Sequence, residues 1–220
     1  ALYESKSGER GIFSRYGAQT QASKTGRRDA EHLFGTNPCS EIILRSREFC
    51  NLSEVVVRED DTLASLKRKV RLATILGTFQ STLTNFRYIG REWKKNCEEE
   101  RLLGVSLTGI MDSALTNGKE SGLEKRLEAL RAIAVDTNQE FAALLKIPQS
   151  AAITCVKPSG TVSNLVDSAS GIHARHSDYY IRTVRADKKD PLAKMMIDAG
   201  FYAEPDVTRP DHTWVFYFPQ

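Results

Sequence analysis

Four side chains in the first quarter of the chain have types and spacing that could do chemistry. Asn37, Cys39 and Glu41 occupy every second position, and Cys50 follows eleven residues after Cys39. In an extended segment, side chains two positions apart point to the same side. Pro38 disfavours helix at Asn37 and so favours an extended or looped segment. The spacing therefore predicts an amide, a redox-capable thiol and a carboxylate general base that face one space.

A second candidate site combines hydroxyl side chains with a glycine. The segment 151–156 predicts a strand, which leads into a turn and then into a short helix that begins near Thr161. Free N–H groups at a helix N-terminus attract phosphate, and nearby hydroxyls add donors. The Gly-x-x-x-x-Gly-Lys spacing of a Walker A loop is absent. The predicted phosphate-binding residues are Pro158, Ser159, Gly160, Thr161 and Ser163.

Together the two segments resemble the ribonucleotide reductases. The Asn-x-Cys-x-Glu pattern with Cys50 downstream resembles their active-site loop, and the run from Lys157 to Ser163 resembles their substrate-phosphate loop. The short spacing between Cys39 and Cys50 is most similar to the adenosylcobalamin-dependent class, especially its monomeric branch that reduces ribonucleoside triphosphates. The resemblance extends from about Ser7 to the end of the chain.

The resemblance implies a chemistry and a role for each residue. Ribonucleotides would be reduced to 2′-deoxyribonucleotides by a thiyl radical on Cys39, generated with adenosylcobalamin as the cofactor. Glu41 would be the general base, Asn37 would hold the sugar hydroxyls, and Cys50 would supply reducing equivalents. The implied partners are a ribonucleoside di- or triphosphate substrate and thioredoxin or a similar dithiol reductant.

The resemblance also implies a fold. Family members contain a ten-stranded α/β barrel, of which this chain would supply the second five-stranded half and the central loop. We therefore expect a single partial catalytic domain over residues 1–220, with a lead-in at 1–36, the active-site loop at 37–50 and the half-barrel at 51–220. Because family members are longer, we expect the chain to lack the N-terminal half of the barrel, which holds the redox partner of Cys50.

The pattern of apolar residues predicts alternating strands and helices. Strands are predicted at 51–58, 103–108, 151–156, 179–184 and 213–218. Helices are predicted at 14–24, from Leu63 to about Phe86, around 90–96, and at 109–115, 123–145, 161–165 and 191–199. Asp61 and Thr62 supply an N-cap for the second of these helices. Such alternation predicts an α/β fold with a mostly parallel sheet.

Composition excludes several classes of protein. The 220 residues are 40% hydrophobic and 27% charged with a net charge of +3, which is too small to indicate a nucleic acid polymer as partner. No apolar run approaches the roughly 20 residues that cross a bilayer, and no signal peptide is visible, so we expect no membrane partner. Four dispersed cysteines do not form a secreted disulfide framework, which favours the reducing cytoplasm.

The remaining cysteines and the histidines have simpler interpretations. Cys97 and Cys155 match no catalytic position and are predicted to be structural. His173 and His176 lack a third ligand at suitable spacing, so no metal site is predicted. Two alternative functions remain open: the catalytic segment of a two-subunit, iron-dependent reductase, and a non-catalytic nucleotide-binding fragment in which Cys50 has no redox partner.

Overall fold

The elements of the chain divide between two units. The computed structural model describes residues 2–6 and 11–220, and the first unit ends at Ala174. Its elements are α1 (Leu2–Ser5), α2 (Arg15–Ser23), β1 (Phe34–Thr36), β2 (Ile43–Arg45), β3 (Asn51–Val56), α3 (Leu63–Gln80), α4 (Arg91–Glu100), β4 (Leu103–Thr108), α5 (Leu123–Leu145) and α6 (Val162–Leu165). The second unit holds β5 (Ile181–Asp187), α7 (Pro191–Asp198), β6 (Ala203–Pro205) and β7 (Thr213–Pro219).

Two parallel strands form the frame of the first unit. β3 pairs with β4 so that Asn51 lies opposite Leu103, and the segment 152–155 runs along the other side of β4. Val105 N donates to Ile153 O, and Cys155 N donates to Val105 O. The strand predicted over 151–156 is nevertheless wrong, because only one isolated bridge joins Val105 and Thr154.

The core of the first unit lies between this sheet and the helices α3 and α5. Because side chains alternate along a strand, one face presents the buried Val55, Leu103 and Val105. Leu66 of α3 and Leu130 of α5 pack in the same cluster. Full burial of such a side chain contributes about 1.5–3 kcal/mol, so this face supplies much of the stability of the unit.

The long helices confirm the predicted pattern more closely than the short ones. α5 has the predicted bounds, whereas α3 begins after the predicted N-cap Thr62 and stops at Gln80, six residues early. The hydroxyls of Ser81 and Thr82 donate to the carbonyls of Thr78 and Phe79, which gives the chain a local alternative to further helix. The helix predicted at 109–115 is wrong: only a 3-10 turn, Ile110–Asp112, forms there after Gly109 at φ 74°.

The second unit departs from the predicted parallel sheet. Its strands are antiparallel in the order β5-β7-β6. Residues 206–212 alone join β6 to β7, which is too short for the crossover that parallel strands require. The described residues contain seven strands rather than the five predicted, and the α/β class is confirmed. The single domain over residues 1–220 stays a prediction.

None of the helices in the described ranges is long and apolar enough to cross a bilayer.

Candidate functional site

Cys39 lies at the tip of a hairpin. β1 and β2 pair antiparallel, with Thr36 opposite Ile43, and the chain reverses between them. Ser40 N donates to Asn37 O at 3.0 Å, which places Pro38 at the second position of a turn, where proline is favoured. Ser40 has φ 62°. Of the extended and looped geometries that Pro38 favours, the structure has the looped one, a tight turn that leaves Cys39 exposed.

Asn37 and Glu41 meet at the base of that turn. Asn37 Oδ1 accepts from Ile42 N at 3.1 Å, so the amide closes the turn. Burial acts to raise the pKa of Glu41, but its own backbone N–H, the Asn37 side chain and Lys157 outweigh burial, and the pKa is lowered. Glu41 is thus held as a carboxylate, as a general base requires.

Lys157 connects Glu41 to the predicted phosphate loop. Its Nζ lies 3.1 Å from Glu41 Oε1, and its backbone N donates to Ser106 Oγ at 2.9 Å. The hydrogen bond to Glu41 is the main cause that raises the pKa of Lys157, and the charge of Cys39 adds to it. The structure therefore brings the thiol loop and the phosphate loop together.

The predicted phosphate-binding residues differ in their exposure and in whether their hydroxyl groups are free to contact a ligand. Pro158, Gly160 and Thr161 are exposed, whereas Ser159 and Ser163 are buried. Ser159 Oγ donates to Glu54 Oε2 at 2.5 Å, and Ser163 Oγ donates to Gly160 O at 3.2 Å. Two of the three hydroxyls are therefore engaged within the protein, and exposed Thr161 is the one that can meet a ligand directly.

A close contact fixes the path of this loop. Ser170 Oγ donates to Pro158 O at 2.8 Å. A Cβ on Gly171, which has φ 52°, would lie 2.7 Å from Lys157 O. Only glycine fits there without strain, so the segment around Gly171 can press directly against the backbone of the loop.

Cys50 and Cys155 lie on one apolar cluster beside the carboxylate. Both pack against the buried side chains of Ile42, Leu102 and Ala151. Burial, then the charge of Glu41, raises the pKa of Cys50; the same two causes, with Cys50 itself, raise the pKa of Cys155 to about 12. All four cysteines lie in the described part of the chain and are free thiols.

Cys155 is thus closer to the candidate site than its predicted structural role implies. Cys97 is buried and its Sγ accepts from Phe49 N at 3.3 Å, as expected of a structural cysteine. Among residues 2–6 and 11–220, no group of three or more His, Cys, Asp or Glu side chains could hold a metal ion.

A buried arginine with two buried glutamates anchors the hairpin. Arg28 Nη2 lies 2.6 Å from Glu100 Oε2 and 3.4 Å from Glu48 Oε2, and Arg28 Nη1 donates to Ile43 O at 2.8 Å. The guanidinium also lies 4.6 Å from the centroid of the Phe34 ring. These contacts tie both strands of the hairpin to the C-terminal end of α4.

Sequence reasoning missed three members of this site. Glu54 is a carboxylate in β3 directly before Val55 and Val56, and a charged side chain at that position signals a specific partner. Lys157 is the first residue of the predicted phosphate loop, and its positive charge was the signal that could have identified it as a member of the site. Cys155 stands two residues before Lys157, and no local pattern distinguishes it from a structural cysteine.

Comparisons with known proteins find several relatives of one description. No protein-family model matches the chain. A curated adenosylcobalamin-dependent ribonucleoside-triphosphate reductase of Euglena gracilis is 33% identical over 189 residues, which cover 86% of this chain and 25% of that protein. A protein of the same description from Lacticaseibacillus paracasei is 31% identical, over 94% of this chain and 31% of that protein.

A solved structure is similar as well. The crystal structure of a B12-dependent (class II) ribonucleotide reductase matches with a TM-score of 0.64 and 26% identity, over 84% of this chain and 29% of that chain. The chain thus spans about a quarter of the length of the Euglena relative.

Proposed function

We propose that this chain, which belongs to the family of adenosylcobalamin-dependent ribonucleotide reductases, carries the thiol loop and the substrate-phosphate loop of an enzyme that reduces ribonucleotides to 2′-deoxyribonucleotides. The observation that carries the proposal is the contact between Lys157 and Glu41, which joins two loops 116 residues apart in sequence. A sugar bound at the first loop can therefore extend its phosphates toward the second.

Each residue of the thiol loop takes one role. A thiyl radical on Cys39 removes the hydrogen atom from the 3′ carbon of the ribose, while Glu41 accepts the proton of the 3′ hydroxyl. Asn37 Oδ1 accepts from Ile42 N and the Asn37 side chain also hydrogen-bonds Glu41, so the amide is fixed beside the base, where it would hold the sugar hydroxyls. The 2′ hydroxyl then departs as water, and the hydrogen atom on Cys39 returns to the 3′ carbon.

Cys50 supplies reducing equivalents. Two thiols lose two electrons and two protons to the sugar and form a disulfide; Cys50 is one, and the other lies in the N-terminal half of the barrel. Thioredoxin or a similar dithiol reduces that disulfide by exchange. The free thiol of Cys50 and its place beside Glu41 support this role, and such cycling fits the cytoplasm.

The hairpin tip fits a bulky radical-generating cofactor. Cys39 is exposed, and Thr36, Pro38 and Ser40 around it are exposed as well, so a large group can approach the thiol. These residues would meet adenosylcobalamin. When bound, the cofactor supplies the radical chemistry that oxidises the Cys39 thiol. The chain itself presents the thiol and holds the neighbouring carboxylate ionised.

The open edge of β3 supports a larger barrel. Within the described residues β3 pairs only with β4, and Leu72 and Leu76 of α3 are exposed beside its other edge. A free strand edge next to apolar side chains is a site for a further strand and helix. We assign this place to the rest of a ten-stranded barrel, in which residues 51–220 form part of the second half.

The proposed function is tested by hydrogen exchange from adenosylcobalamin labelled with tritium at the 5′ carbon. Release of tritium to water is measured with a ribonucleoside triphosphate present, for the chain alone and for the chain with the remainder of a related reductase added. We expect release that the substitution Cys39→Ala abolishes and that Cys97→Ala leaves unchanged, because Cys97 is buried away from the hairpin tip.

Two outcomes would overturn the proposal. Release that persists in Cys39→Ala would show that another group exchanges with the cofactor. A complete lack of release in the supplemented sample would exclude the adenosylcobalamin class and leave the fragment as a nucleotide binder or a member of another reductase class.

A further inference from the structure

One ion pair joins the two loops of the candidate site. Lys157 Nζ and Glu41 Oε1 are 3.1 Å apart, the Glu41 side chain is 2% exposed and the Lys157 side chain is 25% exposed. A carboxylate this deeply buried is stable as an anion only when it is paired and hydrogen-bonded. Lys157 is the one cation that contacts it within the described residues.

The two oxygens of Glu41 have unequal surroundings. Oε1 is occupied by Lys157, whereas Oε2 is buried and has no hydrogen-bond partner of normal geometry in the described part of the chain. An unmet buried acceptor is costly and is rare in native structures. It is therefore the position at which a hydroxyl donor from a ligand is most favourable.

The direction of the Lys157 side chain is set by the sheet. Its backbone N donates to Ser106 Oγ on β4, and two residues later Ser159 Oγ donates to Glu54 Oε2 on β3. The loop is thus fixed to both parallel strands before the ammonium reaches across to the hairpin. A shift of the loop would move the ammonium and change the environment of Glu41.

We propose that Lys157 is a positioning residue, which keeps Glu41 ionised with Oε1 occupied and Oε2 turned toward the substrate hydroxyl. Binding of phosphates at residues 158–163 and placement of the base thereby become one event. The proposal rests on the proposed function of Glu41 as the general base. The other groups whose charge or hydrogen bonds act on this pair are the Asn37 amide, Cys39, Cys50, Cys155 and Glu54.

The first test measures the ionisation of Glu41 and needs no catalysis. The chain is labelled with ¹³C at the glutamate carboxyl carbons, the Glu41 signal is identified by its loss in Glu41→Gln, and its titration is followed by NMR. Removing the cation should move the titration midpoint of Glu41 upward in Lys157→Met. Lys157→Arg should restore most of the wild-type midpoint, and Lys125→Met, a matched loss of an exposed lysine, should change nothing.

An unchanged midpoint in Lys157→Met would overturn the proposal whether or not the chain is a reductase. If Lys157→Met does not fold, Lys157→Arg decides: its planar group keeps the charge but changes the geometry. If the titration midpoint of Glu41 in Lys157→Arg lies as far above the wild-type value as loss of the positive charge would place it, the charge-based role of Lys157 is contradicted.

The second test is kinetic and uses the supplemented reductase. Lys157→Met should lower kcat by roughly tenfold or more with little change in KM, because the base is misplaced or protonated after binding. The acid limb of the pH–rate profile should also move to higher pH. A rise in KM alone would make Lys157 a phosphate ligand and overturn the proposal. A wild-type rate in Glu41→Gln would instead remove the proposed function and leave the NMR result standing.

Discussion

The two faces of the β3–β4 pair are built from alternating residues of the same two strands, and they have different roles. One face buries Val55, Leu103 and Val105 against α3 and α5. The opposite face carries Glu54 and Ser106, which contact the phosphate loop. Since neighbouring side chains on a strand point to opposite sides, a single step along the chain separates a residue that stabilises the fold from one that positions the site.

The faces also differ in how specific their contacts are. On the core face, aliphatic groups of similar volume can replace each other at modest cost. On the site face the polar groups meet specific partners at defined distances, as with Ser159 Oγ at 2.5 Å from Glu54 Oε2. We therefore expect core changes to reduce stability in proportion to volume, and removal of a polar group on the site face to reduce function with little effect on stability.

The largest effect should come from Glu41→Gln, which keeps the shape of the side chain but removes the base. Turnover in the supplemented reductase should fall by about 10²–10⁴-fold, the usual contribution of a positioned base. Denaturant unfolding should change little by comparison. Glu59→Gln, in an exposed turn, is the matched control. If Glu41→Gln did not fold, the proposed separation between residues that stabilise the fold and residues that position the site would be contradicted.

The next effect tests the core face. Leu103 is 1% exposed, and Leu103→Ala should lower the free energy of unfolding by about 2–5 kcal/mol through lost burial and a new cavity. Urea unfolding measures this change. The NMR titration of Glu41 should keep its wild-type midpoint in any folded fraction. A cost below about 1 kcal/mol would mean that the site side of the sheet, rather than the core side, holds the unit together.

Much of the core face could be predicted from the sequence. The apolar period of α5 and the run Leu103–Thr108 determine their elements locally, and both have the predicted bounds. The site face was harder, because its members are joined across long separations. Nothing local to Glu41 or Lys157 specifies their pairing, so the sequence placed each in a motif without predicting the contact.

The failures have local physical causes. The spacing of Asn37, Cys39 and Glu41 is equally compatible with a strand and with a turn, and pairing of β1 with β2 decides for the turn. The predicted parallel order fails in the second unit because residues 206–212 are too few for a crossover. Both outcomes depend on which strands pair with each other, and the periodicity of residues within one strand carries no information about that pairing.

A buried titratable group at the hairpin anchor gives a third test. Burial, and then the neighbouring Glu100, raises the pKa of Glu48 from 4.5 to about 8. Between these values the folded state holds a proton that the unfolded state has released, so stability should fall as pH rises from about 4.5 to 8. Glu48→Gln cannot titrate and should show a shallower fall in urea unfolding measured across this range.

The control for that series is Glu59→Gln, which lies in an exposed turn and should keep the wild-type slope. Identical slopes in wild type and Glu48→Gln would show that Arg28 keeps Glu48 ionised throughout, and that the anchor is a fully charged triad.

The smallest effect tests how tightly the site face is packed. An added Cβ at Gly104 would lie 2.4 Å from Leu52 Cδ2 and 3.1 Å from both Cys155 Sγ and Ile42 Cδ1. Gly104→Ala should therefore cost about 1–3 kcal/mol by overpacking, while Gly35→Ala, with no atom within 4 Å, is the control in another strand.

The clash involves the cluster that holds Cys50 and supports Glu41, so the reactivity of the Cys50 thiol toward a thiol reagent should change as well. If Gly104→Ala lowers stability but leaves the reactivity of the Cys50 thiol unchanged, the packing of the site face adjusts locally, as that of the core face does. The geometry of the site would then be set by the loops alone.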